Sequence, residues 1–100
     1  MGFFNELFIK GDGMVKFEAA LMEHNGTPFA IVAVLPRILN SPEREDVRNN
    51  FRKYFPLGIP IIFTAKDADG NPKYQGKYDI VKFLYQLDPK KIPWERYDTI

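Results

Sequence analysis

The chain has 100 residues, of which 45% are hydrophobic, so it can bury the core of one domain, and we expect a single domain over residues 1–100. Its 14 basic residues nearly balance its 13 acidic ones, which excludes a strong overall field for nucleic acid, an anionic membrane or an acidic partner. The absence of cysteine excludes disulfides, thiolate ligands and thiol catalysis, and it favours a cytoplasmic location.

Membrane insertion is not expected from the hydropathy pattern. No apolar run approaches the roughly 20 residues of a membrane-spanning helix. The longest run, Phe29 to Pro36, has the length of a strand. The N-terminus has neither the basic flank nor the cleavage site of a signal peptide. We therefore expect no membrane association and no targeting signal.

The first 13 residues carry an apolar stripe at helical spacing. Gly11-Asp12-Gly13 ends the pattern, which predicts one short amphipathic helix before the glycines. Three interpretations stay open: the helix packs on the protein's own sheet, it docks on a partner or a second copy, or residues 1–13 are a non-native leader. The stripe consists of Phe3, Phe4, Leu7 and Phe8.

A β-hairpin is the strongest local signal. Apolar residues alternate from Met14 to His24, which predicts a strand with one apolar face. Asn25-Gly26 tolerates the positive φ angles of a tight turn. The next strand, Phe29 to Leu35, is apolar at every position, so we expect it to be central and covered on both faces.

A helix is predicted from Pro42 to Tyr54, with Ser41 before it as the N-cap and Pro56 ending it. Three arginines spaced by four form a row along one border of its apolar stripe. They are Arg44, Arg48 and Arg52.

The second half of the chain predicts two further strands and a helix. A buried strand spans Ile59 to Ala65, and a polar turn leads to a short strand from Lys73 to Gly76. Apolar residues at helical spacing predict a helix from Asp79 to Gln86. Residues 88–100 are expected to form a surface tail with Trp94 anchored in a crevice.

The predicted fold class is therefore α+β, with a four-stranded mixed sheet and helices packed on it. The order is strand, strand, helix, strand, strand, helix, with the N-terminal helix in front. A right-handed crossover through the first long helix would make the two central strands parallel, with their hairpin partners antiparallel outside them. A sheet with an antiparallel centre stays open.

A proline heads the third strand, and a polar turn, a short strand ending at Gly76 and a helix follow it. Residues 58–87 thereby resemble the distal part of thioredoxin-like proteins. The resemblance implies that Pro60 borders a binding groove and has a cis peptide bond. The chain departs from that family in having no cysteine, and in having a hairpin where the family has a strand-helix-strand unit, so dithiol chemistry is excluded.

Few residues have the pattern of a chemical site. His24 is the single histidine and lies beside a predicted turn, which favours a solvated side chain. Asp67, Asp69 and Asn71 alternate as calcium ligands can, but Gly70 is not where an EF-hand loop needs it, and a turn accounts for these residues. We expect no catalytic residue, no metal ion and no cofactor.

The favoured function is a non-enzymatic interaction module that forms a homodimer or binds a protein partner. Amphipathic aromatic rings are concentrated in the C-terminal half, and such rings dominate interface hot spots. The predicted surface combines the N-terminal stripe with Tyr74, Tyr78 and Trp94.

Two alternatives from other classes remain. One is a small-molecule-binding or enzymatic domain with a groove near Pro60, using Tyr74, Lys73 and Asp67 as polar groups. The other is nucleic-acid binding, with the row of Arg44, Arg48 and Arg52 holding phosphates. A solvated helix face is the simpler interpretation of that row.

Overall fold

The computed structural model describes residues 15–99. The α+β class is confirmed, but the prediction of a four-stranded sheet is wrong, since the sheet has five strands in the order β4-β3-β2-β1-β5. The strands are β1 (Val15–His24), β2 (Thr27–Ala33), β3 (Ile61–Lys66), β4 (Pro72–Gln75) and β5 (Glu95–Thr99), and the α-helices are α1 (Arg44–Phe51) and α2 (Tyr78–Gln86). Three short 3₁₀ turns span Pro36–Asn40, Arg52–Tyr54 and Pro89–Lys91.

The first two strands form the expected hairpin. Asn25 and Gly26 adopt φ angles of 52° and 78°, which is the left-handed geometry that an Asn-Gly turn supplies at little steric cost. β1 and β2 pair antiparallel from the turn, where His24 is opposite Thr27, to Ala19 opposite Val32.

The centre of the sheet is parallel. β2 and β3 pair from Ala30 with Ile61 to Ala33 with Thr64, and the connection between them contains α1. β4 then pairs antiparallel with β3 on the far side. Of the two arrangements compatible with the sequence, the structure therefore contains the one with the parallel pair inside and the hairpin partners outside.

The fifth strand comes from the segment that was predicted to be a surface tail. Residues Glu95–Thr99 pair antiparallel with the first half of β1, with Phe17 opposite Tyr97. The segment has one large apolar side chain among charged and polar ones, so it lacks the alternation that predicts a strand. It becomes a strand because β1 offers it unpaired backbone groups, and an edge strand can pair without a full apolar face.

The helices cover opposite faces of the sheet. α1 contributes Val47 and Phe51 to a core that centres on Phe17 and Phe63. α2 contributes its own apolar side chains to a second core on the other face, formed by Ala20, Phe29, Ile31, Ile62, Tyr74, Ile80, Leu84 and Ile92. The central strands are therefore buried on both sides, as their unbroken apolar runs predict.

The regular part of α1 is shorter than the predicted Pro42–Tyr54. The prediction of Ser41 as the N-cap is wrong, since Glu43 occupies that position and makes no side-chain capping bond. Ser41 lies in the turn before the helix, where its Oγ atom accepts a hydrogen bond from the backbone N–H of Glu43 at 3.0 Å. At the other end the chain tightens into the 3₁₀ turn Arg52–Tyr54 before Pro56.

Within residues 15–99, neither helix is long and apolar enough to cross a membrane. The predicted N-terminal helix and its stripe, Phe3, Phe4, Leu7 and Phe8, lie outside the described residues.

Candidate functional site

The predicted aromatic surface is divided in the structure. Tyr74 is buried in β4, where its backbone N–H donates to the hydroxyl of Tyr85 at 3.0 Å and the two rings meet edge to face at 5.0 Å. Burial, and secondarily the neighbouring Tyr85 hydroxyl, raise the pKa of Tyr74. Tyr78 lies elsewhere, at the start of α2, with 77% of its surface exposed. The structure therefore does not bring Tyr74 and Tyr78 together.

Two features of β4 disfavour pairing of another strand with its outer edge. The hydroxyl of Tyr85 accepts a hydrogen bond from the backbone N–H of Tyr74, and this N–H is therefore not available to an incoming strand. Pro72 has no N–H to offer. The β4 edge is therefore poorly suited to strand addition.

Tyr74 and Trp94 instead line one cleft of about 530 Å³, at the carboxyl ends of the parallel strands β2 and β3. We call it the Trp94 cleft. Ala33 and Thr64 lie at these strand ends, Glu18 comes from β1, and Lys66 ends β3. Ligand sites of α/β proteins are commonly found beyond the carboxyl ends of parallel strands.

A second, shallower hollow of about 330 Å³ borders Pro60, and we call it the Pro60 groove. Its polar lining is Glu45, Arg48, Arg52, Gln75 and Lys77. No cis peptide bond occurs among the described residues, so the bond before Pro60 is trans.

The polar groups predicted for the Pro60 groove are elsewhere. Tyr74 faces the Trp94 cleft. Lys73 and Asp67 pair with each other, Nζ to Oδ2, at 3.8 Å in the β3–β4 turn. Small-molecule binding near Pro60 stays a prediction, with a different set of side chains around the groove.

Arg48 is the best-connected polar residue in the described structure, and 6% of its surface is exposed. Its Nε donates to the carbonyl of Ile61 at 3.1 Å, and its other nitrogens donate to the side chains of Glu45 and Gln75. The guanidinium carbon lies 4.6 Å from the centre of the Phe63 ring. One side chain thus ties α1 to both β3 and β4.

The other two arginines of the row also bond to the chain. Arg44 donates to the carbonyl of Leu39 at 2.5 Å, and Arg52 donates through Nε to the Oδ1 atom of Asn49 at 3.0 Å. Because Arg48 is buried between them, the row does not present three guanidinium groups to solvent. Nucleic-acid binding stays a prediction, and this placement weighs against it.

Hydrogen bonds to the side chain of Asp67 stabilise the turn after β3. The Oδ1 atom of Asp67 accepts hydrogen bonds from the backbone N–H groups of Asp69 and Asn71, both at 2.9 Å. His24 stacks on Phe83 with the ring centres 4.1 Å apart. In the part of the chain that the structure describes, no three His, Cys, Asp or Glu residues are grouped as metal ligands are.

The opposite edge of the sheet differs from the β4 edge. No strand within residues 15–99 pairs with the outer side of β5, which we call the β5 edge. Tyr97 points to the α1 face, where its ring stacks on Phe17 at 4.9 Å, so Arg96 and Asp98 point to the other face. There the Nε atom of Arg96 lies 3.2 Å from the Oδ1 atom of Asp98.

The sequence analysis named Tyr74 and Trp94 but missed the charged residues of the Trp94 cleft and of the β5 edge. Glu18 and Lys66 are charged residues near the ends of apolar strands, where solvent exposure is the ordinary explanation. Arg96 and Asp98 lie in the segment that was assigned to the tail. The alternating signs of Glu95, Arg96 and Asp98 around one tyrosine were the available signal.

Comparisons of the chain with protein-family models, curated proteins and solved structures found no match. The resemblance of residues 58–87 to thioredoxin-like proteins therefore stays a prediction.

Proposed function

We propose that the protein is an interaction module that assembles as a homodimer, with the β5 edges of two copies paired antiparallel. The observation that carries the proposal is the self-complementary charge pattern of β5. Arg96 and Asp98 lie on the same face of the sheet, on either side of Tyr97.

A two-fold axis through Tyr97 places each Arg96 opposite Asp98 of the second copy. Two cross-strand ion pairs form in this register, and the two tyrosines face each other on the α1 side. An axis through Arg96 or Asp98 would instead oppose like charges, which destabilises a strand pair. The charges thus select one register.

The rest of the molecule supports the choice of this edge. β5 is fastened to the core, since Tyr97 stacks on Phe17 and contacts the ring of Phe55 at 5.5 Å between centres. Burial, and to a lesser degree the Glu95 carboxylate, raise the pKa of Tyr97. The β4 edge is closed by Tyr85 and Pro72. Pairing between copies therefore proceeds through one edge and yields a closed dimer.

The test uses charge reversal in the full chain, with the molar mass measured by light scattering over a concentration series. The native protein should approach twice its 11.6 kDa as concentration rises. Arg96→Asp makes both charged positions of the edge acidic, and Asp98→Arg makes both basic. Each variant alone should remain monomeric because like charges then face each other.

The decisive sample is an equimolar mixture of the two variants. Acidic and basic edges are complementary in the proposed register, so the mixture should recover the dimer mass as a heterodimer. Each variant also places a like charge opposite β1 within its own copy, since Arg96 is opposite Glu18 and Asp98 is opposite Lys16. Fraying of β5 from that cause would not be reversed by mixing. Lys82→Asp, with the same change in charge on the exposed side of α2, is the matched control and should dimerise like the native chain. A native monomer at all concentrations, or single variants that dimerise like the native chain, would overturn the proposal.

A further inference from the structure

The Trp94 cleft combines an aromatic side chain with charged side chains of opposite sign. Its volume of about 530 Å³ falls within the usual range of small-molecule sites. Trp94 keeps 38% of its surface exposed, whereas Ile92, which also lines the cleft, is buried. The indole thus lines the cleft beside a core residue and remains accessible to a ligand.

The strand register determines which residues are neighbours at the bottom of the cleft. Ala33 is opposite Thr64, and Thr64 is opposite Tyr74. Continuing the β1–β2 register by one pair beyond Ala19 and Val32 places Glu18 opposite Ala33. Glu18, Ala33, Thr64 and Tyr74 therefore form one row across four strands, and the small side chain of Ala33 leaves room in the middle.

The two charged residues, Glu18 and Lys66, lie on either side of this row of residues. Glu18 and Thr64 are two strand spacings apart, or about 10 Å, and Lys66 is two residues further along β3, about 7 Å from Thr64. Among the described residues, neither Glu18 nor Lys66 has an oppositely charged group within 4.0 Å, although Glu18 is opposite Arg96 in the β1–β5 register. Both side chains are long enough to reach a small molecule between them.

Thr64 adds a fixed polar group at the centre. It is buried, and its hydroxyl donates to the carbonyl of Lys73 at 2.9 Å. Because its hydrogen is used in this bond, the Thr64 oxygen can act towards a ligand only as an acceptor. A ligand donor group between Glu18 and Thr64 would find an acceptor on each side.

We propose that the Trp94 cleft binds a small zwitterion with an aromatic body, of the class of free aromatic amino acids. Glu18 and Thr64 accept from the ammonium group, and Lys66 pairs with the carboxylate. The ring packs against Trp94 in an offset or edge-to-face arrangement.

Trp94 is the single tryptophan of the chain, so its fluorescence reports directly on this cleft. The full-length protein is titrated to about 20 mM with L-phenylalanine, a range that covers the weak affinity expected for so small a ligand. Phenethylamine and 3-phenylpropionate are titrated in parallel, since each keeps the ring and one of the two charges. L-phenylalanine should give a saturable change and bind more tightly than either analogue.

Two variants separate the charged contacts. Glu18→Gln should weaken L-phenylalanine and phenethylamine about fivefold and leave phenylpropionate unchanged. Lys66→Gln should weaken L-phenylalanine and phenylpropionate by a similar factor and leave phenethylamine unchanged. Glu23→Gln and Lys73→Gln, outside the cleft, are the matched controls. The absence of a saturable change, or the same affinity for all three ligands in all variants, would overturn the proposal.

Discussion

Arg48 shows how one side chain can join three elements. Its planar guanidinium donates to a carbonyl of β3, to the side chain of Gln75 at the end of β4 and to Glu45 on its own helix, while Phe63 covers one side of it. A lysine could not reproduce this arrangement, because its ammonium group lacks the fork of donors. The buried position of Arg48 therefore reflects its geometry as well as its charge.

Arg48→Lys should lower the free energy of unfolding by about 2 kcal/mol, since it keeps the charge but loses several hydrogen bonds, including the one to the buried carbonyl of Ile61. Urea denaturation measures the change. Arg52→Lys, at an exposed position of the same row, should change stability by less than about 0.5 kcal/mol. Equal effects of the two substitutions would show that the Arg48 contacts contribute nothing specific.

Gly76 is needed because β3 passes close to it. A Cβ atom at this position would meet Cδ1 of Ile62 at 2.5 Å and the Ile61 carbonyl oxygen at 3.3 Å. Ile62 is fully buried, so its side chain has little room to move away.

Gly76→Ala should destabilise the protein by about 2 kcal/mol, through overpacking against Ile62 and through the φ of 156° at this position, which a residue with a Cβ atom rarely adopts. The physical reason can be tested with Ile62→Val, which removes the clashing methyl group. Ile62→Val alone should cost about 1 kcal/mol, but in the Gly76→Ala background it should cost much less or should stabilise the protein. Additive effects in thermal denaturation would mean that the methyl group is not the obstacle.

At the scale of elements, α1 is connected to the sheet by packing and by charge. Its apolar side chains pack against β1 and β3, and its arginines bond to backbone carbonyls. The hydrogen bond from Arg48, followed by the charges of Arg48 and Arg44, keeps the pKa of Glu45 below its usual 4.5, although burial opposes this. The Glu45 side chain remains 64% exposed, which limits the contribution of the ion pair.

A pH dependence follows for Glu45. A lowered pKa in the folded state means that the stabilisation is present above the unfolded pKa, near 4.5, and is lost as pH falls through the folded pKa. Glu45→Gln should therefore lower the melting temperature at pH 7, by an amount corresponding to less than about 1 kcal/mol. The difference from the native protein should shrink at pH values below 4.5. Glu23→Gln is the control, and a difference for Glu45→Gln that is constant with pH would contradict the account.

At the scale of the whole molecule, the two proposed surfaces follow from one asymmetry of the sheet. The edge at β4 is capped by Tyr85 from α2, whereas the edge at β5 carries charges in a self-complementary order. α2 covers part of its face, and the segment around Trp94 approaches the rest and leaves a cleft. The proposed self-association and the proposed ligand binding use different residues and are tested by separate experiments, although Glu18 and Arg96 are neighbours across β1 and β5.

The sequence alone determined the parts of the fold that depend on local chemistry. Asn25-Gly26 specifies the hairpin turn, the unbroken apolar runs of β2 and β3 specify central strands, and helical spacing specifies both helices. These signals are short in range, because they arise from φ preferences and from which faces must be buried.

The tertiary structure alone decided what required distant partners. Glu95–Thr99 becomes a strand only because β1 is beside it, and Arg48 becomes a structural anchor only because β3 and β4 surround it. Glu18 and Lys66 meet at one cleft only through the register of intervening strands. Backbone pairing and charged contacts of this kind leave no periodic pattern in the sequence, because each depends on a residue far along the chain.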